Sequence, residues 1–308
     1  MVKKLSQLVE GLQGKELGTL VVAAGEDPHT IEAVNRAVDE KIVKAILVGD
    51  SDKVKEIAEA HNIDPSKFSL IDVKDKKEAV KRAVSMVRSG EGDVLMKGLV
   101  DTAVYMRAIL NKEWGLLPEG RVLSHVTVVE FPSFHKLLIV SDVAVIIQPD
   151  INQKVAMLNY CIEVAHALGI EQPKAAIISA IEKVNPKMPS SVDAAIIAKM
   201  AERGQIKGAI VDGPLALDLA VDKESAEIKG VKSPVVGDAD ILIFPNIETG
   251  NVFFKTATKI CKGNIAAMVA GAMRPAVLTS RGDSEESKFY SIALAIRVAL
   301  YQQGKSLS

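Results

Sequence analysis

The chain has 308 residues, 48% of them hydrophobic but only 4% aromatic, and its charges nearly cancel at a net −1. That length suits two ordinary domains or one large α/β unit, and large apolar residues that are mostly Val, Ile and Leu favour parallel sheets buried under helices over an aromatic-rich sandwich. The sequence holds no basic block or basic–aromatic strip, which argues against a nucleic-acid partner, and no run of about 18 apolar residues, which argues against a membrane span.

The start, "MVKKLSQLVEGLQGK", carries lysines but no apolar core of signal-peptide length, so a cytoplasmic protein is expected. Short apolar runs then alternate with helical patterns. The strand-like runs are Thr19–Gly25, Lys44–Asp50, Phe68–Asp72, Gly92–Gly98, His125–Pro132, Lys136–Asp142, Lys174–Ala180, Gly208–Gly213, Ala239–Pro245 and Ala266–Gly271, with a last one beginning at Ala276. Pro28 after Asp27 reads as a helix cap followed by a first-turn proline. Asn152–Leu168 places Val155, Leu158, Ile162, Ala165 and Leu168 on one helical face. The β–α alternation predicts an α/β fold with a doubly wound, mostly parallel sheet. The runs around Val126–Val129 and Leu137–Val140 are too close for a crossover helix. A hairpin is expected there, at the rim of a first domain that ends near Ala144–Pro149. Cys161 and Cys261 each fall in a helical pattern and read as free, buried thiols.

No glycine-rich dinucleotide turn, P-loop, nucleophile elbow or paired C-x-x-C occurs, and no His/Cys/carboxylate spacing marks a metal. A doubly wound protein without these motifs holds its ligand by other residues at the carboxyl ends of its strands. His29, His61 and His166 read as surface or packing residues, while His125 and His135 flank the hairpin. Lys97–Gly98 closes one strand; the lysine either holds a phosphate or carboxylate or caps a sheet edge in solvent. Asp212–Gly213–Pro214 reads as a tight turn in which Asp212 accepts from backbone amides. Asn246, Glu248, Thr249 and Asn251 crowd around Gly250 before a helix, more densely than N-capping by Thr249 or Asn251 requires, so a binding role is expected. Ser280, Arg281 and Gly282 precede a helix whose apolar face is Phe289, Ile292, Ile296 and Leu300. Arg281 offers a planar fork for phosphate oxygens and Gly282 allows close backbone approach, while Asp283 with Glu286 resembles a capping box.

Taken together, "VLMKGLVDTAVYMRAIL", "DGPLALDLAV", "FPNIETGNVFFK" and "RPAVLTSRGDSEESK" resemble, in order and spacing, the phosphate acetyl/butyryltransferase family. The likeness covers nearly the whole chain, is most specific in its C-terminal half, and lies closer to the butyryl branch than to the acetyl branch. It implies two three-layer α/β/α domains with an inter-domain cleft, the first domain being discontinuous (1–143 plus 272–308) and the second spanning 144–271. It implies the reversible reaction of acyl-CoA and inorganic phosphate to give acyl phosphate and CoA, with CoA as substrate, no tightly bound cofactor or metal, and a homo-oligomer, dimer or larger. The family's Ser–Arg pair falls on Ser280 and Arg281. Its aspartate, seven residues after the serine, falls on Ser287, which leaves Asp283, then Glu286, as the nearest carboxylates. Lys97, Gly98, Asn246, Glu248, Gly250, Asn251 and Gly282 are the expected substrate-binding positions, and Ser280, Arg281 and Asp283 the catalytic ones. A phosphate acetyltransferase, or a binding protein of the same fold that has lost turnover, are the competing readings.

Overall fold

The computed structural model describes residues 1–279 and 282–305. The apolar runs form strands β1 (Gly18–Ala23), β2 (Val43–Gly49), β3 (Ser69–Asp72), β4 (Val94–Lys97), β5 (Ser124–Glu130), β6 (Leu138–Ser141), β7 (Lys174–Ile178), β8 (Ile210–Leu215), β9 (Ile241–Ile243), β10 (Asn264–Ala270) and β11 (Ala276–Val277). The helices are α1 (Leu5–Glu10), α2 (Pro28–Asp39), α3 (Ser51–Ala60), α4 (Lys76–Ser89), α5 (Thr102–Ile109), α6 (Ile151–Ala167), α7 (Pro189–Glu202), α8 (Leu217–Val221), α9 (Lys223–Lys229), α10 (Ile247–Lys255) and α11 (Glu285–Gln302). No helix among the described residues is long and apolar enough to cross a membrane.

The chain divides into two compact units, Leu5–Leu123 with Ile265–Ser308, and Met1–Lys4 with Ser124–Asn264. This grouping places the hairpin β5–β6 with the later strands, whereas the sequence reading set it at the rim of the first domain. The reason is pairing: β6 runs parallel to β9, with Val140 opposite Leu242, so the hairpin shares a sheet with β9.

In the first of these units the strand order is β3-β2-β1-β4-β11-β10. Neighbours are parallel except β10 and β11. Both faces of such a sheet are covered, so its strands are apolar throughout rather than alternating; Leu20–Ala23 and Val94–Met96 are fully buried. Helix α11 is buried nearly all round, from Lys288 to Ile296 and again from Val298 to Leu300, and it packs on α1 and α2. The expected face of Phe289, Ile292, Ile296 and Leu300 is therefore one part of a central helix. Asp27 caps α2 as expected, accepting from the Thr30 amide with Pro28 in the first turn.

In the second unit the order is β5-β6-β9-β7-β8. The β5–β6 pair is antiparallel, with Val128 opposite Ile139, and the rest are parallel. Helix α6 starts with a capping box of Asp150 and Gln153. Two expectations are corrected here. Asp212–Gly213–Pro214 lies inside β8 rather than in a turn after it, because the chain stays paired with β7 as far as Leu215 across an irregularity in register. The Gly213 amide does donate to Asp212 Oδ1. Cys161 is buried in α6, but Cys261 is exposed just past the helical turn Thr256–Ile260.

At the amino ends of β7 and β9, Asp238 accepts from Lys136 Nζ at 2.8 Å and Lys174 Nζ at 2.6 Å. Burial alone would raise the Asp238 pKa, but the hydrogen bonds and charges of the two lysines outweigh it and hold the carboxyl well below its ordinary value. A depressed folded-state pKa contributes stability that is complete above the unfolded value of about 4 and drains away as pH falls toward the lower folded value. Asp238→Asn is therefore expected to lower stability at neutral pH, with a penalty that shrinks steadily as pH falls below about 4. Urea unfolding of both proteins across that range checks this; a pH-independent difference would contradict it.

Candidate active site

In the first unit, the carboxyl ends of β1, β4 and β11 lie side by side and carry the polar residues. β4 ends in Lys97, which is 3% exposed. Its ammonium donates to the carbonyls of Gly98 at 3.2 Å and Val100 at 3.1 Å. The reading of Lys97 as a solvated cap on a sheet edge is thereby overturned, because β4 is flanked on both sides, by β1 and β11. Gly98 is a steric requirement: a Cβ there would collide with the carbonyl of Ala24. The amides of Gly98 and Leu99 donate to Ala23 O at 2.9 Å and Ala24 O at 2.7 Å. Ala24 itself takes φ 56°, a left-handed conformation that costs a non-glycine residue about 1 kcal/mol or more.

A second buried lysine, which sequence reading missed, stands at the same edge. Lys288 in the first turns of α11 is 4% exposed. It lies 3.4 Å from Thr279 Oγ1, just past β11, and 3.7 Å from Asp27 Oδ2. Its signal was its place at the head of a buried stripe, Lys288, Ile292, Ala295 and Ala299, where a lysine is out of keeping. Asp27 is pulled two ways: burial raises its pKa, but hydrogen bonds from Thr30 and the charge of Lys288 prevail, and the carboxyl lies below its ordinary value. Glu26 beside it is buried, with one oxygen lacking a hydrogen-bond partner among the described residues and the other 3.9 Å from Lys76 Nζ.

Ser280 and Arg281 lie outside the described residues. The turn that follows them corrects one expectation: Ser284, not Asp283, is the N-cap of α11, and its hydroxyl accepts from the Ser287 amide at 3.2 Å. Ser287, at the family's aspartate position, thus belongs to the cap, and Asp283 stands one residue outside the helix. Among the described residues, a Cβ at Gly282 meets no atom within 4 Å.

The Asn246–Asn251 group belongs to the second unit, and Asn246, Thr249 and Asn251 each have a structural partner. Asn246, rather than Thr249 or Asn251, caps α10, accepting from the Thr249 amide at 3.0 Å. Asn251 Nδ2 donates to Val143 O at 3.1 Å. Gly250 is needed because a Cβ there would collide with the Asp142 carbonyl. Glu248 is exposed on the first turn. These contacts pin α10 to the segment after β6. That segment is anchored by the buried carboxylate of Asp142, which accepts from Ser124 Oγ at 3.0 Å and from the amides of His125, Ala144 and Val145 at 2.7–2.8 Å. Burial, and then the Asp142 charge, push the Cys161 thiol well up, so it is no nucleophile.

Lys97, Gly98, Thr279, Lys288 and Asp27 lie at one strand-end edge, with buried Glu26 beside them. Its two lysines offer N–H donors to an anionic group arriving at the strand ends, set against the carboxyl groups of Asp27 and Glu26. Gly98→Ala is expected to cost about 1–3 kcal/mol, since a methyl must be forced against backbone that cannot yield. Chemical denaturation measures that loss, and an unchanged midpoint would show that the loop relaxes freely.

Comparison with known proteins gives a consistent result. A family model described as Phosphate acetyl/butaryl transferase matches residues 3–82 and 76–296. The chain is 46% identical over 299 residues to a phosphate butyryltransferase of Clostridium acetobutylicum, covering 97% of this chain and 99% of that one. It is also 46% identical over 291 residues to a phosphate acetyltransferase of Thermotoga maritima, covering 94% and 98%. Among solved structures, a branched-chain phosphotransacylase from Enterococcus faecalis V583 superposes with a TM-score of 0.80 at 34% identity, covering 91% of this chain and 98% of that one. The chain belongs to the phosphate acetyl/butaryl transferase family.

Proposed function

We propose that the chain is a phosphate acyltransferase that moves a short acyl group, butyryl or similar, reversibly between CoA and inorganic phosphate. The observation that carries this reading is full-length similarity, 46% over 97% of the chain, to a phosphate butyryltransferase. The buried strand-end lysines Lys97 and Lys288 support it, because both substrates and the acyl phosphate are anions that take N–H donors.

The step is direct transfer between two bound substrates. In the direction that consumes acyl phosphate, the CoA thiolate attacks the carbonyl carbon. A C–S bond forms, the bond from that carbon to the bridging oxygen breaks, and phosphate departs with the electron pair. Arg281 is assigned to neutralise the departing phosphate and Ser280 to hydrogen-bond the oxygen on which charge develops. Lys97 adds a second cation. Alignment of the two substrates supplies much of the acceleration. A free thiol has a pKa of about 8.5, so a modest base or a positive field suffices to ionise it. Asp283, the carboxylate nearest the Ser–Arg pair in sequence, is assigned as the base, with Glu286 second. Asp27 is a poorer one because its pKa is lowered. An acyl-enzyme on Ser280 is disfavoured, as no histidine is placed beside it in sequence to activate the hydroxyl.

An apolar pocket separates substrates differing by one methylene by only about 1–3 kcal/mol, so neighbouring acyl lengths are expected to overlap. The equal identity to an acetyltransferase keeps an acetyl-specific enzyme as the second reading, and Ser287 keeps a binding protein without turnover as the third. A homo-oligomer belongs to the same proposal on the strength of the resemblance. A reducing, cytoplasmic setting fits the two free cysteines.

Phosphate-dependent release of CoA thiol, measured across acetyl-, propionyl-, butyryl- and branched acyl-CoA, is the test. A butyryl-like optimum is expected, together with a loss of about 10²–10³ in kcat for Arg281→Ala with folding intact. An optimum at acetyl supports the second reading. Absence of release with every short acyl-CoA rules out turnover.

A further inference from the structure

A cavity of about 240 Å³ lies wholly within the second unit, walled by Gln148, Lys154, Ser190, Asp193 and Asn246 among others. Its position follows from topology. The chain passes from β6 to β7 and on to β8, then returns to place β9 between β6 and β7. The cavity opens at the carboxyl ends of β9 and β7, where that order reverses. Asn246 comes three residues after β9, and Ser190 touches Ser179, the residue after β7, hydroxyl to hydroxyl at 2.9 Å. Crevices at such reversals are where open α/β sheets bind ligands.

The lining is rich in donors. Lys154 is buried to 4% exposure, and its one protein partner among the described residues is Asp193 Oδ2 at 2.6 Å. An ammonium carries three N–H donors, so this ion pair orients Lys154 without exhausting it. Asn246 spends its carbonyl oxygen on the α10 cap, and its amide nitrogen has no protein acceptor among the described residues. Helix α7 begins at this wall without a side-chain cap, because Met188 at its N-cap offers no oxygen acceptor. The amide of Ser190 in its first turn likewise has no acceptor among the described residues. The lysine and aspartate charges cancel, and α7, with no acid in its first turn, turns its positive end to the cavity.

We propose that this cavity binds phosphoryl oxygens through Lys154, Ser190 and Asn246, with Asp193 as the residue that positions Lys154. The inference rests on the acyl-transfer reading for its two sources of phosphoryl group, inorganic phosphate and the phosphates of CoA. The chemistry of the cavity is the same for either.

The test is binding by the full chain, followed by thermal shift and calorimetry with inorganic phosphate alone and with CoA alone, for wild type, Lys154→Met and Ser190→Ala. KM values for phosphate and CoA are measured in parallel. Wild type is expected to bind at least one of the two ligands. Lys154→Met is expected to weaken that binding at least tenfold and to raise the matching KM more than it lowers kcat; Ser190→Ala weakens it severalfold. The arm that responds identifies the source. Ser190→Ala leaves the ion pair intact and keeps the test decisive if Lys154→Met does not fold. Affinities within twofold of wild type in both arms, or no binding of either ligand by wild type, overturn the site. Binding that depends on Lys154, in a wild-type chain that releases no thiol from any acyl-CoA, upholds the site and overturns the transferase reading instead.

Discussion

The contact between Gly98 and Ala24 is the constraint on which the candidate active site depends. Two parallel strands end side by side, and the backbone of one passes against the carbonyl of the other with no room for a side chain. The close approach turns the chain after β4 back over β1, ties Gly98 and Leu99 to Ala23 and Ala24, and encloses Lys97 beneath it. A buried ammonium is costly unless its donors are met. Here the turn that buries Lys97 also supplies the carbonyls of Gly98 and Val100 that hold it. The left-handed Ala24 is part of the same construction, and its amide is satisfied by Val48 O at 2.8 Å.

Lys97 and Lys288 sit on rigid elements, a strand end and a buried helix; in the proposed reaction such fixed donors need little reorganisation when charge moves. Asp27 holds Lys288 and, with its pKa depressed, remains a carboxylate instead of acting as a proton carrier. The second unit follows a different logic. Its most heavily bonded carboxylate, Asp142, is consumed by backbone amides and a serine, and it fixes the chain against which Gly250 and Asn251 pack. A dense polar cluster next to a helix start can therefore be scaffolding, and in this unit the unspent donors lie one cavity further on, at Lys154 and Ser190.

The strands were legible because burial on both faces leaves an apolar run whatever the neighbours are, and the β5–β6 hairpin because its spacing admits no crossover. Lys97–Gly98 stood out as a lysine and glycine at the end of such a run, yet its burial was not readable. That depends on β11, contributed by residues some 180 positions later in the chain. Helix caps were misassigned by one to three residues at Asp283 and Thr249. Several adjacent residues can cap by composition, and the choice is made by backbone dihedrals, extended at Ser284 and Asn246. Lys288 was hidden for a related reason: the residues before it, Glu285, Glu286 and Ser287, are polar, and only the packing of α11 on α2 shows that its face is interior.

The proposed reaction gives buried Lys97 a part beyond the hydrogen bonds it makes to the Gly98 and Val100 carbonyls. Lys97→Met keeps the volume of the side chain and removes its charge, so phosphate-dependent CoA release is the measurement to make, alongside the unfolding midpoint. A loss of at least about 10²-fold in turnover is expected, alongside a fall of about 1–3 kcal/mol in stability from the hydrogen bonds lost to the Gly98 and Val100 carbonyls. Turnover close to wild type would contradict it.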